Sequence, residues 1–316
     1  MKKAALTTAV LTALVSSPSF AATVYDNDGT TLKVGGRAEA RFNISDENKD
    51  TTNNTDSFKD KSRARVNLKG KSQISDDLYG FGKYEAEFSG KEDLTNRYYF
   101  AGLGTNFGEF SYGKQDSAQV MLTDITDTMA TFGAEAADIV DGNKDKRENT
   151  FLYSGEFNAL TVQANYIAAD ENNSKDSDSY GIAGLYNIGA FDIGAGYVGQ
   201  ANGQYDDYQF NLVGQYSMDM FTLGALFAIG TENEDDDVTA YEISAIYKPM
   251  KKLALIGVYN YQELDPKSGS KEDTVDEFAI EAVYKFNSHL RTYAGYKFQQ
   301  IDDKDDELQA GVRYDF

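Results

Sequence analysis

The sequence has no cysteine, no tryptophan, a single histidine and only three prolines among 316 residues. Without cysteine there is no disulfide framework, so a chain of this length must be held by closed hydrogen bonding and buried area. One histidine, His289, leaves no set of imidazole ligands for a transition metal and no partner for a Ser-His-Asp triad. Pro18, Pro249 and Pro266 fall in the N-terminal leader, at a turn and in a polar loop, so none interrupts a strand. After the leader no apolar run approaches 18 residues, and the mean hydropathy is −0.52, which excludes a helical membrane protein. A membrane barrel is not excluded, because its strands are only half apolar and look hydrophilic in a hydropathy window.

Basic charge is also scarce. Setting aside Lys2 and Lys3, 28 basic residues stand against 51 acidic ones, a net of −23. Such a chain is a poor partner for nucleic acid.

What is abundant favours strands: 28 Gly, 22 Tyr and 19 Phe. The last ten residues alternate without error, with Leu308, Ala310, Val312, Tyr314 and Phe316 on one face and Glu307, Gln309, Gly311, Arg313 and Asp315 on the other. An apolar row that runs to the chain end has no later segment to cover it, so it must meet an earlier strand's partner or lipid. The opposite end reads as a secretory signal peptide over 1–21: Lys2-Lys3 are basic, Ala4 to Val15 are apolar and small, and Ser19 and Ala21 precede a cut before Ala22. A transmembrane helix would need about 20 apolar residues, and Ser16-Ser17-Pro18 breaks the run too early.

Dyad-periodic segments predict sixteen strands, near 32–43, 62–74, 79–88, 97–105, 108–115, 149–155, 160–168, 179–187, 190–200, 207–217, 220–230, 239–247, 253–264, 275–286, 290–301 and 307–316. They are joined alternately by tight turns, such as Asn106-Phe107 and Asn158-Ala159, and by longer loops thick with Asp, Glu, Asn and Ser, such as 45–61 and 265–274. Short turns on one rim and long polar loops on the other are the asymmetry of an outer-membrane barrel. A soluble sandwich shares the alternation without explaining the unlike rims. Tyr79, Phe107, Phe157, Phe221 and Phe286 sit beside short turns, where an interfacial girdle belongs. In the strand near 239–247, Ile246 falls on the polar side.

One connection is too long for an ordinary loop. Asp116 to Lys146 spans about thirty residues, beyond the usual limit of about 12–15. Its Val120, Met121, Leu122, Ile125, Met129 and Phe132 need burial, which folding into a barrel would supply, with Asp124, Asp127, Glu135 and Asp138 directed to the lumen. The alternative is an external loop with incidental apolar residues. On the predicted inner faces, Lys33, Arg37 and Arg41, then Arg63, Arg65, Lys69 and Lys71, with Arg97, make a basic wall. Like charges crowded on one wall repel unless water or opposite charge faces them, so a water-filled lumen with an acidic loop opposite is the less costly arrangement.

Val34-Gly35-Gly36-Arg37-Ala38, Arg63-Ala64-Arg65-Val66-Asn67-Leu68-Lys69-Gly70, Asn96-Arg97-Tyr98-Tyr99-Phe100-Ala101-Gly102-Leu103, Phe110-Ser111-Tyr112-Gly113-Lys114 and the closing Gly311-Val312-Arg313-Tyr314-Asp315-Phe316 together resemble the Gram-negative general diffusion porins, nearest the OmpU-type branch. The resemblance spans residues 22–316. It implies an all-β, 16-stranded antiparallel transmembrane barrel, a homotrimer in the outer membrane in contact with lipid and lipopolysaccharide, with its pore narrowed by a constriction loop at 116–147. Carried over by position, it places Arg37, Arg65, Arg97 and Arg147 against Asp127 at the constriction; the loop's own pattern adds Asp124 and Glu135 there, and alternation puts Arg41, Arg63 and Lys69 on the lumen wall. It makes Glu92 or Asp93 a latch to a neighbouring subunit, and Tyr314 and Phe316 an assembly signal. Thr131 stands where many members carry a glutamate.

Other signals carry less. Gly194-Ala195-Gly196-Tyr197-Val198-Gly199 fits a dinucleotide fingerprint in letters, but it lies in an alternating segment with no helix after it, which points to close packing instead. The acidic run 232–237 lacks EF-hand spacing, and Ca²⁺ or Mg²⁺ bridging to lipopolysaccharide and plain solvation are both open readings. The expected function is passive diffusion of ions and small hydrophilic solutes with a modest cation preference, no catalysis and no required cofactor. The rival classes are an outer-membrane hydrolase using carboxylates, and an adhesin or phage receptor acting through the external loops.

Overall fold

The computed structural model describes residues 21–49, 56–90, 94–169, 178–201, 206–233 and 235–316. The strands are β1 (Ala22–Asn27), β2 (Thr30–Ile44), β3 (Phe58–Asp60), β4 (Arg63–Ser75), β5 (Leu78–Ser89), β6 (Leu94–Thr105), β7 (Gly108–Gln115), β8 (Arg147–Phe157) and β9 (Leu160–Ile167). They continue with β10 (Asp178–Ile188), β11 (Phe191–Ala201), β12 (Asp206–Ser217), β13 (Phe221–Glu232), β14 (Asp236–Met250), β15 (Leu253–Asp265), β16 (Glu272–Lys285), β17 (Leu290–Gln299) and β18 (Glu307–Asp315). A single turn of helix, α1 (Val120–Thr123), lies in the long connection between β7 and β8.

Sixteen strands, β2 and β4 to β18, each pair antiparallel with the next, and β18 returns to β2, so the sheet has no free edge. Closure is what lipid demands, since a backbone N–H or C=O left open to hydrocarbon costs several kcal/mol. The sixteen barrel strands match the segments expected from the sequence, and two short ones were not anticipated. β1 pairs with the start of β2 directly beyond the end of β18, and β3 pairs with the end of β2 beyond the start of β4. Each extends an existing column of the barrel wall.

The alternation sorts side chains as the sequence requires. In β13, Phe221, Leu223, Ala225, Phe227 and Ile229 are exposed on the outside, while Thr222, Gly224, Leu226 and Ala228 are buried within. An apolar exterior of this extent is stable only against lipid. Close to the short turns it carries aromatic pairs, Phe191 with Tyr216 at 4.5 Å between ring centroids and Phe221 with Tyr247 at 4.6 Å. Tyr79 leaves this girdle: its hydroxyl donates to Glu109 at 2.6 Å on the lumen side, and Lys71 caps its ring at 3.5 Å. In the first hairpin Asp28 and Gly29 both take positive φ (49° and 73°), as a tight two-residue turn between twisted strands requires.

The ring is sealed along the ladder between β2 and β18, and Phe316 extends it past the end of β18. Gly36 N–H donates to the Phe316 carbonyl at 2.9 Å, and Phe316 N–H donates to the Gly36 carbonyl at 3.0 Å. Gly36 is required here, because a Cβ at this position would stand 2.7 Å from the Phe316 ring. Both Tyr314 and Phe316 project outward and are half exposed. Deleting Phe316 should remove its two hydrogen bonds to Gly36 from the seam and lower the yield of folded, heat-modifiable barrel severalfold, while channels that do form keep their conductance. Normal yield on a semi-native gel would refute this.

Candidate functional site

The connection from β7 to β8 lies inside the barrel, folded against its wall. Leu122, Ile125, Ala136, Ala137, Ile139 and Val140 pack on inward Ala183, Val198, Val213, Leu226, Ala228, Val238 and Ala240. Its tip, Met129 and Phe132, packs on Ile246, Ile256, Val258 and Val283. Burying each large side chain in this way contributes roughly 1.5–3 kcal/mol. Ile246, the apolar residue on a polar face, is thus explained by the loop tip that covers it. The glycines of the fingerprint-like run serve the same contact: a Cβ at Gly194 would meet Leu122 at 2.7 Å, and Gly196 lies against Gln119 and Leu122.

Polar anchors fix the loop's path. Gln119 donates to the carbonyls of Ile182 at 3.1 Å and Tyr197 at 3.0 Å, and Asn211 donates to Gln119 at 3.0 Å and to Asn143 at 2.7 Å. Two wall carboxylates clasp the loop backbone. Glu242 accepts from the Thr126 hydroxyl and from Ala137 N–H at 3.0 Å. Glu281 accepts from the N–H groups of Ala130 at 3.0 Å and Thr131 at 2.8 Å, and from the Thr131 hydroxyl at 2.7 Å. Thr131, at the position where a glutamate was the family expectation, therefore holds the loop to the wall.

With its apolar side against the wall, the loop presents Asp124, Asp127, Glu135 and Asp138 exposed to the lumen. Enclosure by the barrel, reinforced by Asp127 and Asp116, pushes the Asp124 carboxyl up to about 7. Enclosure also pushes Asp127 up to about 6, against a hydrogen bond from Ala134 N–H. Lys146 is drawn down to about 8, first by burial and then by Arg97 and Arg65.

Across from the loop stand Arg37, Arg63, Arg65 and Arg97, brought together by the register of β2, β4, β5 and β6. They do not face the loop unpaired. Arg63 contacts Glu39 at 2.6 Å, Arg97 contacts Glu85 at 2.8 Å, Arg65 contacts Glu87, and Arg37 reaches Glu39 at 3.6 Å. Longer contacts of 3.8 Å cross-link Arg65 with Glu85 and Arg63 and Arg97 with Glu87. Glu39, Glu85 and Glu87 were not singled out in the sequence, although two-residue spacing from Arg37 and Lys83 already put them on the inner face. Among the described residues, no ion pair joins the loop edge to these arginines.

The remaining expected residues are dispersed. Arg41 donates to Gln309 at 2.7 Å and to the Ala130 carbonyl at 3.5 Å, beside the loop tip. Lys69 is exposed, in register with Lys33 and Lys83. Arg147 opens β8 in register with Gln115 and acts on Asp141 in the loop's return limb. Glu92 and Asp93 lie outside the described residues. Among the described residues no three His, Asp or Glu side chains converge to hold a metal ion.

A closed barrel with a charged, loop-narrowed lumen defines an aqueous pore across a membrane. The profile of the Gram-negative porins matches residues 5–306, and the chain belongs to that family of non-enzymatic outer-membrane channels. It is 37% identical over 251 residues to outer membrane protein U of Vibrio vulnificus, covering 74% of this chain and 70% of that protein. It is also 37% identical over 295 residues to porin-like protein L of Photobacterium profundum, covering 85% and 84%. Among solved structures, OmpF of Salmonella typhi in complex with daunomycin superposes with a TM-score of 0.82 at 20% identity, covering 93% of this chain and all of that one. The trimer form of OmpT of Vibrio cholerae gives 0.76 at 20% identity, covering 92% of this chain and all of that one.

Because Glu281 alone makes four contacts to residues 130 and 131, Glu281→Ala should free the loop tip. Single-channel recordings should show frequent transitions between current levels while the barrel's unfolding temperature shifts little. Quiet, unchanged currents would show that the apolar contacts of Met129 and Phe132 suffice.

Proposed function

We propose that this porin passes ions and small hydrophilic solutes passively with a modest cation preference set at the loop edge. The observation that carries the reading is the pairing of the wall arginines. Four arginines and three glutamates leave the ladder at +1, whereas Asp124, Asp127, Glu135 and Asp138 with Lys146 carry −3 when ionised. Arg41 lies near Glu281 and Lys83 near Asp116, pairs that cancel. The acidic external loops add little at physiological salt, where the Debye length is about 8 Å.

The sign follows from the raised carboxyls. Asp127 and Asp124 are neutral below about 6 and about 7 and charged above, so cation preference should grow as pH rises from about 5 to 8. Asp127→Asn should lower it without closing the channel, and Arg65→Ala, which removes the nearest of the three arginines on Glu87, should raise it and widen the pore. Reversal potentials in a salt gradient measure all three. Anion selectivity at every pH, or no response in either variant, would show that these residues do not set it.

The same reading takes residues 1–21 as a cleaved signal peptide and the assembled state as a homotrimer in contact with lipid and lipopolysaccharide. What supports the trimer is a patch of small outward residues. Ala282, Ala294 and Ala310 lie in register on three adjacent strands, continued by Ala40 and Ala38 opposite Val312 and Tyr314. Next to them an apolar groove of about 730 Å³ runs along Leu255, Gly257 and Ile280. Small residues let two barrels approach closely. In mild detergent the protein should scatter light as a trimer and dissociate only on heating; a monodisperse monomer would exclude this.

A further inference from the structure

In a protein with a net charge of −21, cations gathered without counterions stand out. One such group occupies the short-turn mouth of the pore. Lys248 and Lys285 lie on the lumen face, two residues beyond inward Ile246 and Val283, and Lys251 and Lys252 form the turn between β14 and β15. The four lysines surround a niche of about 20 Å³ floored by Ala254, Ile256 and Val283. Among the described residues none of them makes an ion pair with a carboxylate. Lys252 donates only to the Phe286 carbonyl, at 3.1 Å.

The surroundings add positive charge. Lys285 feels Arg291, Lys248 and Arg313, and among the strongest influences on it the one carboxylate is Asp315. Asp315 is already held by Arg291 at 2.8 Å and Arg313 at 2.6 Å. Lysines at this spacing repel one another, and a compact anion bearing several charges is what relieves them. The niche admits a phosphoryl oxygen or two and has no room for an acyl chain. Lysine suits such a ligand, acting as a mobile point charge with three donors.

We propose that Lys248, Lys251, Lys252 and Lys285 form a binding site for polyvalent oxyanions of the phosphate class at the inner mouth of the pore. The inward direction of Lys248 and Lys285 favours a soluble anion that enters from the lumen or the periplasm. Lipid headgroups share the chemistry and would reach the turn lysines from outside. An anion seated here partly obstructs the ion path, so the site should be visible in the current, and from one side only.

The test uses the intact porin, inserted in one orientation in planar bilayers, with inorganic tripolyphosphate as the probe. Added on the short-turn side, it should interrupt the current at concentrations at least fivefold lower than from the loop side. Lys248→Gln with Lys285→Gln should weaken this block fivefold or more at unchanged open-channel conductance. Lys248→Arg with Lys285→Arg should retain it, which separates lost charge from lost folding. The outer-rim pair Lys59→Gln with Lys61→Gln should leave it intact. Equal block from both sides, or block that survives in the double glutamine variant, overturns the proposal. Repeating the measurement in phosphate-free glycolipid bilayers separates the two sources. Equal block in both lipids assigns the site to soluble anions, whereas block seen only in glycolipid shows that lipid phosphate fills it and overturns the assignment.

Discussion

Everything in this molecule depends on the pairing of β18 with β2, which runs from Leu308 opposite Ile44 to Phe316 against Gly36, because a sheet in lipid either closes or leaves a strand edge unsatisfied. Once closure fixes the register, the two faces of every strand are assigned. The exterior must be apolar along its length, and the interior is free to be anything that water or a packed loop will accept. The interior uses both options. One arc, from β10 to β16, is lined with small and apolar side chains where the loop packs, and the arc from β2 to β6 carries the arginine and glutamate ladder. The loop separates these two environments and narrows the space between them.

The fold was legible because the rule that places each side chain has a period of two. Phe278, Ile280 and Ala282 against Glu277 and Glu281 state the orientation of β16 without any tertiary information. Ile246 broke the pattern, and it did so where a distant segment covers the wall, so the exception itself pointed at the loop. β1 escaped notice because its six residues are too few to show a sustained alternation, with Asp26 following Ala22 and Val24 on one face. The site was legible in part. The arginines could be placed on the lumen wall from alternation, but their partners could not, since Arg65 meets Glu87 only through the register of two strands. The role of Thr131 was hidden for the same reason: Glu281 lies 150 residues away.

Charge along the pore is arranged by position. The extracellular loops are acidic, the waist balances a paired ladder against a partly ionised loop edge, and the opposite mouth carries lysines. A permeating ion therefore meets fields of changing sign within one channel, and total charge is a poor guide to which ion passes. The ladder is largely self-neutralised, while the loop carboxylates stand exposed to the lumen without an ion pair to it.

The seam has a consequence for how the protein comes into being. β2 (Thr30–Ile44) and β18 (Glu307–Asp315) pair across more than 260 intervening residues, so the contact that completes the ring is the longest-range strand pairing in the barrel. Contacts of this kind are the slowest to form. The barrel therefore has no partly closed stage at which both edges of β2 are satisfied.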